Sequence, residues 1–278
     1  MAASGAAEFV SRHPTIVAGA ALLLVIALAA LFAPVIAGDP LVFEPINRLL
    51  GPSEKFWLGT DSLGRDVYAR MVYGARISLL VGLSVAFISI LSGSVVGLLA
   101  GYFEKVDAIV MRLMDGIMAI PAILLAIALV ALLGASVKVV IIAIAIPEIP
   151  RVTRLVRSVV LTVRGLPFVE AARSNGTRVA KLLRRHILPS TVAPLIVQAT
   201  YICASAILTE AGLSFLGAGT PPEFPTWGNM IASSRLYLQI APWTIFAPGI
   251  CLALVVLAVN LLGDGLRDRL DPRIARRM

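Results

Sequence analysis

Long apolar runs separated by short polar stretches organise this chain. Residues 15–36 form an uninterrupted apolar run of about 20 residues, long enough to cross a bilayer. Five more runs follow, at about 77–100, 113–133, 139–160, 191–212 and 243–262. The pattern predicts an all-α integral membrane fold of six transmembrane helices. A cleaved signal peptide is the rival reading of the first run. It exceeds the 7–15 residues usual for such a signal, so the expectation is a retained first span over 15–37. The fourth run is interrupted by Pro147-Glu148-Ile149-Pro150, and the third contains Pro121.

The polar stretch 167–189, PFVEAARSNGTRVAKLLRRHILP, breaks the membrane pattern most sharply. It reads as two short helices with a turn between them. Pro167 suits a first helical position, where its missing N–H costs nothing. Glu170 then meets the positive end of the helix dipole. Asn175-Gly176 is a stop signal, because both tolerate left-handed backbone. Thr177 is placed to cap the second helix. There Val179, Leu182, Leu183 and Ile187 form an apolar stripe, Arg178, Lys181, Arg184 and Arg185 stay polar, and Pro189 is expected to end the helix. An amphipathic, basic hairpin pinned between two spans is built to meet something at the membrane surface.

Composition sharpens the picture. The 278 residues are 59% hydrophobic and 14% charged, whereas a soluble domain carries about 25% charged residues. No separate soluble catalytic domain fits. Charge then sets the sidedness. With 167–189 placed inside, one Lys/Arg falls in the head, two in 101–112, nine in 151–189 and five in the tail, leaving seven of 24 outside. The positive-inside rule therefore makes 1–14, the loop 164–189 and the tail 266–278 cytoplasmic. Residues 38–76 and 213–242 become extracytoplasmic loops, and 77–265 a five-helix core. The same rule accounts for the net charge of +8 without nucleic acid.

Within the spans, Ser89, Gly93, Gly97 and Gly101 recur every four residues, a small-residue face for close helix packing. Asp66 and Arg70 lie one turn apart, and Val67, Met71 and Val72, with Tyr68, suggest a face on the membrane interface; a solvated lead-in helix is the alternative. Glu148, between Pro147 and Pro150, is a candidate to line a translocation path; the alternative is that it pairs with Arg151 and faces a cytoplasmic vestibule. Glu210 and Asp115 sit near span ends and are expected to reach water. Cys203 and Cys251 fall in apolar runs and read as packing residues. His186 reads as a surface or docking residue. No GxxxxGK[ST], CxxC or HExxH is present, so neither nucleotide binding of that kind nor a metal site is expected.

The string EAARSNG followed by HILP resembles the EAA signature of the inner-membrane permease subunits of bacterial ABC importers. Glu170, Ala171, Ala172 and Gly176 match its first half, and Ile187, Leu188 and Pro189 its second. The stretches GTDSLGRDVYARMVYGARISL, DAIVMRLMDGIMAIP, RLVR, LSFLGAG, PTWGNMI and NLLGDGLRDRLDPR, spread over 59–273, are similar to the second permease subunit of the dipeptide/oligopeptide branch. One departure is Pro147-Glu148-Ile149-Pro150, where an aromatic residue near 146–147 is expected. The resemblance implies a type I importer permease fold in a bacterial inner membrane, with the EAA hairpin as the coupling helix. It also implies a second homologous permease subunit, cytoplasmic ATPase subunits that bind ATP and Mg, and an extracytoplasmic solute-binding protein, with no cofactor in this chain. Arg178, Lys181, Arg184 and Arg185 then meet an acidic ATPase rim, lipid phosphates or water. The implied substrate is a di- or oligopeptide, with nickel, haem, glutathione, sugars or opines as alternatives. A self-sufficient secondary transporter would show internal inverted repeats, and none is apparent. An intramembrane enzyme would need a paired catalytic constellation, and none stands out.

Overall fold

The computed structural model describes residues 13–270. Nothing is described for most of the head or for the end of the tail, so those parts of the expected layout, including the end of the last family-like stretch, lie outside the described residues. The described residues are mostly helical, with long irregular stretches over 37–66 and 216–226 and one isolated bridge between Thr60 and Asp66. The helices are α1 (Pro14–Leu31), α2 (Ala33–Ile36), α3 (Val67–Tyr102), α4 (Glu104–Met118), α5 (Ala122–Leu133) and α6 (Val137–Val163). They continue with α7 (Pro167–Ser174), α8 (Val179–Leu182), α9 (Leu188–Phe215), α10 (Trp227–Ser234) and α11 (Trp243–Leu270).

Four segments are long and apolar enough to cross a membrane: Pro14–Leu31, Val67–Tyr102, Val179–Phe215 and Trp243–Leu270. The pair α4 and α5 supplies a fifth, bent by 86°. Helix α6, 27 residues and about 40 Å long, completes the six despite its charges. The bend replaces the straight third span expected over 113–133. Proline disfavours α geometry in the residue before it, so the helix stops at Met118 and restarts after Pro121. The polar link 101–112 is correspondingly helical, with Glu104 and Asp107 in the first turn of α4.

Helix α3 also differs from expectation. It begins at Val67 rather than near residue 77, because Asp66 caps it by accepting the Tyr68 N–H at 3.0 Å. Val67 and Val72 are buried, and the Met71 carbonyl accepts a bond from the Trp227 indole at 3.0 Å. The face expected on the membrane interface is therefore internal. At 36 residues, about 54 Å, α3 projects beyond any bilayer core.

The core is built around α3 and α6. Ser89 donates to the Ala145 carbonyl at 3.3 Å. A Cβ built on Gly93 would lie 2.5 Å from Val152 Cβ, and one on Gly101 2.6 Å from Val160 Cβ. The small-residue face thus lets two backbones meet, as packing without a hydrophobic drive from lipid requires. Helix α9 packs against α3, α6 and α11, and α1 lies along α11. Pro147 and Pro150 sit inside an unbroken α6. They remove two i→i−4 bonds, but α3, α5 and α9 hold the helix in line, so the expected interruption does not occur.

Candidate functional site

The hairpin 164–189 is positioned by its inner face. Val169, Leu182 and Ile187 are buried in the core, with Ala172 and Leu183 packed against it. Helix α7 ends in a left-handed turn: Gly176 has φ +73°, its N–H bonds Arg173 O at 3.0 Å, and the Thr177 N–H bonds Ala172 O at 3.1 Å. This is the Schellman closure that the Asn-Gly pair foreshadows. Two expectations fail. Arg178, not Thr177, is the N-cap of α8, and no side chain caps it. Pro189 does not end the second helix; a π turn over Leu183–Ile187 carries the chain straight into α9. The wider turn accommodates a residue without an N–H, and Pro189 then sits in the first turn of α9, where none is needed.

The outer face is exposed and mixed. Glu170, Ala171, Gly176, Arg178, Lys181, Arg184, Arg185 and Pro189 all face out, and Lys181, Arg184 and Arg185 share one shallow depression. Leu166, Phe168 and Val179 are also exposed, at 39%, 49% and 39%. Leu166 and Phe168 were not singled out in the sequence, whereas Val179, expected on the apolar stripe with Leu182, Leu183 and Ile187, stands out of the buried face. His186 is half-buried, with its ring centroid 6.4 Å from that of Phe168.

The hairpin is tied to the neighbouring helix ends by pairs that sequence reasoning missed. Arg164 donates to the Gly101 carbonyl at 3.1 Å and lies 3.9 Å from Glu104. Arg157 pairs with Asp107 and Arg154 with Asp115. Several arginines counted above only for sidedness thus link α6 to α4. Their partners are 39 to 63 residues away, beyond any local pattern. Asp115 remains accessible, as expected. Glu210 does not: it is 1% exposed, and one oxygen accepts from Ser214, Thr226 and Thr220 at 2.8, 3.0 and 3.2 Å. The loop 216–226 folds back over that span end through Thr220 and Thr226.

Residues 93–276 match the model of the binding-protein-dependent transport system inner membrane component family. The chain belongs to this family. Among its relatives is a probable peptide ABC transporter permease protein of Sinorhizobium fredii, 61% identical over 96% of this chain and 91% of that one. A dipeptide transport system permease protein of Alkalihalophilus pseudofirmus is 46% identical over 89% and 82%. A glutathione transport system permease protein of Pectobacterium atrosepticum is 43% identical over 96% and 89%. In fold it is similar to a chain of the MetNI methionine ABC transporter in inward-facing form, with a TM-score of 0.58 over 73% of this chain and 96% of that one at 18% identity.

The permease is thus a multi-pass membrane component of a transport system with the type I importer fold. Its Glu148 lies in α6, about 22 Å along the helix from the hairpin end at Val163. The side chain is 8% exposed and accepts from Arg151 at 3.0 and 3.2 Å, while Arg151 itself is 43% exposed. The pairing read as an alternative from the sequence is present. Pro147 is half-buried and Pro150 buried beside it.

Proposed function

We propose that this permease forms half of the translocation pathway of an ATP-driven importer of short peptides, with the hairpin 164–189 as its coupling element. The observation that carries this is the hairpin's two-sidedness. Its inner face is buried in the helix core, while its outer face offers Glu170, Phe168 and four basic side chains. A short rigid unit fused to α6 and α9 transmits rigid-body motion, which a loose loop cannot do. A cytoplasmic ATPase pair, holding ATP and Mg, grips this face; its closure pulls the hairpin and turns the pathway from inward- to outward-open. A second homologous permease supplies the other half, and a solute-binding protein meets the loops 38–76 and 213–242 outside. Both termini lie in the cytoplasm. The named peptide permeases among the relatives support the substrate class. Glutathione is the second reading, supported by the glutathione permease.

Purification of the tagged chain from its own membranes is expected to recover an ATPase and a second permease, and the complex to import labelled peptide only with ATP. A chain that purifies alone and moves solute without ATP would overturn the proposal. Glu148 and the flanking Pro147 and Pro150 are assigned to the pathway wall. Glu148→Gln is expected to slow transport several-fold while costing less than about 1 kcal/mol of stability, since Arg151 is half in water already. Transport rate and affinity equal to wild type would leave Glu148 a structural partner of Arg151.

A further inference from the structure

At the other end of α9 from the hairpin, about 40 Å away, a cavity of about 440 Å³ opens between the loop 59–66, the turn after α9 and α10. Three arginines line it: Arg65, Arg70 and Arg235. Asp61, behind the first two, is their acidic partner. Its Oδ2 accepts from Arg65 Nε at 2.7 Å and lies 3.6 Å from Arg70 Nε. Its Oδ1 already accepts the N–H groups of Leu63 and Arg65. One carboxylate therefore serves two guanidinium groups and has little capacity left. Arg235 adds a third charge, held over the Phe215 ring at 5.9 Å.

Arg70 decides the reading. It is 1% exposed, and its Nη1 has no hydrogen-bond partner. A charged donor buried without an acceptor is costly, and natural structures rarely keep one without use. The opposite wall is rigid: Asn229 donates to the carbonyls of Thr220, Pro221 and Phe224, and Thr220 and Ser214 bond the buried Glu210. The cavity is formed before any ligand arrives.

We propose that this cavity binds a small organic carboxylate, and that its ligand is the C-terminal carboxylate of a short peptide at the outer face of the permease. The identification of the peptide rests on the proposed transport function. A planar guanidinium fork matches a carboxylate in two parallel bonds. The volume exceeds what an inorganic anion fills and lies within the range of small-molecule sites. A slender main-chain terminus can pass between Arg65 and Arg235 towards Arg70 in the cavity lining, whereas a short acidic side chain on a folded protein surface would be stopped at the rim.

The test uses the complete transporter in nanodiscs without its binding protein, and measures binding of labelled alanyl-alanine and of its C-terminal amide by equilibrium dialysis. The acid is expected to bind at least about tenfold more tightly than the amide. Arg70→Gln is expected to erase that preference. Arg235→Gln, at an exposed position, is expected to weaken it with the thermal midpoint unchanged, so a folding defect in the first variant does not decide the outcome. Acetate should compete and phosphate should not. Equal affinity for acid and amide, or a preference intact in both variants, overturns the proposal. So does a loss of affinity for the binding protein with dipeptide affinity unchanged, which would seat a protein carboxylate here. Uptake of alanyl-alanine by the wild-type complex with its binding protein is measured in parallel. No uptake sinks the peptide reading itself, whereas uptake without acid-over-amide preference sinks only the cavity.

Discussion

Gly176→Pro is expected to leave the permease in the membrane while transport falls about tenfold or more, equivalent to about 1.4 kcal/mol of lost coupling, and ATP hydrolysis by the complex continues. The cause is local. Gly176 sits at φ +73°, which proline, locked near −65°, cannot adopt. Proline also removes the N–H that bonds Arg173 O, so the closure of α7 is lost. The buried anchors Val169, Leu182 and Ile187 keep the hairpin attached to the core, but Glu170 and the basic side chains of α8 lose their fixed relation. Paired measurements of uptake and ATPase rate in proteoliposomes check this. Uptake at the wild-type rate and normal expression would remove the hairpin from the coupling role. Glu170→Lys, which alters charge and leaves the backbone alone, is expected to uncouple in the same sense.

Gly97→Val is expected to destabilise the permease by about 2–3 kcal/mol, and to lower its thermal midpoint in detergent by about 5–10 °C. A Cβ at this position would lie 2.7 Å from the Thr153 carbonyl oxygen and 2.8 Å from Val156 Cβ. Backbone and a β-branched side chain cannot step aside, so α3 and α6 must separate along the pair on which the core is built. Gly116→Ala is the control. A Cβ there meets nothing within 4 Å, and alanine favours the helix by up to about 1 kcal/mol. Heating series read by the fraction that stays monodisperse would separate the two. A midpoint for Gly97→Val equal to wild type would mean that the α3–α6 contact is looser than the structure has it.

Much of the permease was legible because the strongest signals are local. Apolar runs of membrane length, the charge bias of 151–189 and the Asn-Gly stop are written in adjacent residues, and the bilayer leaves helices as the answer for each apolar run. The four-residue spacing of Ser89, Gly93, Gly97 and Gly101 marked a close-packing face, although not that its partner would be Ala145 to Val160 of α6. Errors gathered where local rules met tertiary packing. Two prolines that predict a break sit in an unbroken α6, since three neighbours hold it straight. One proline expected to sit inside a span, Pro121, marks the 86° bend. Pro189, which reads as a terminator, is absorbed by a π turn.

The sequence alone determined that the chain is a six-span helical membrane protein with a basic amphipathic hairpin. Hydropathy, charge bias and turn chemistry act over a few residues and need no partner. The three-dimensional fold alone decided which charges are used. It gave Arg154 and Arg157 to Asp115 and Asp107, and buried Glu210 under three hydroxyls. It also left Arg70, in the lining of a cavity made of separate segments, with a buried donor that has no partner. Ion pairs and cavities join positions tens to hundreds of residues apart, and in the low-dielectric interior their geometry sets their worth.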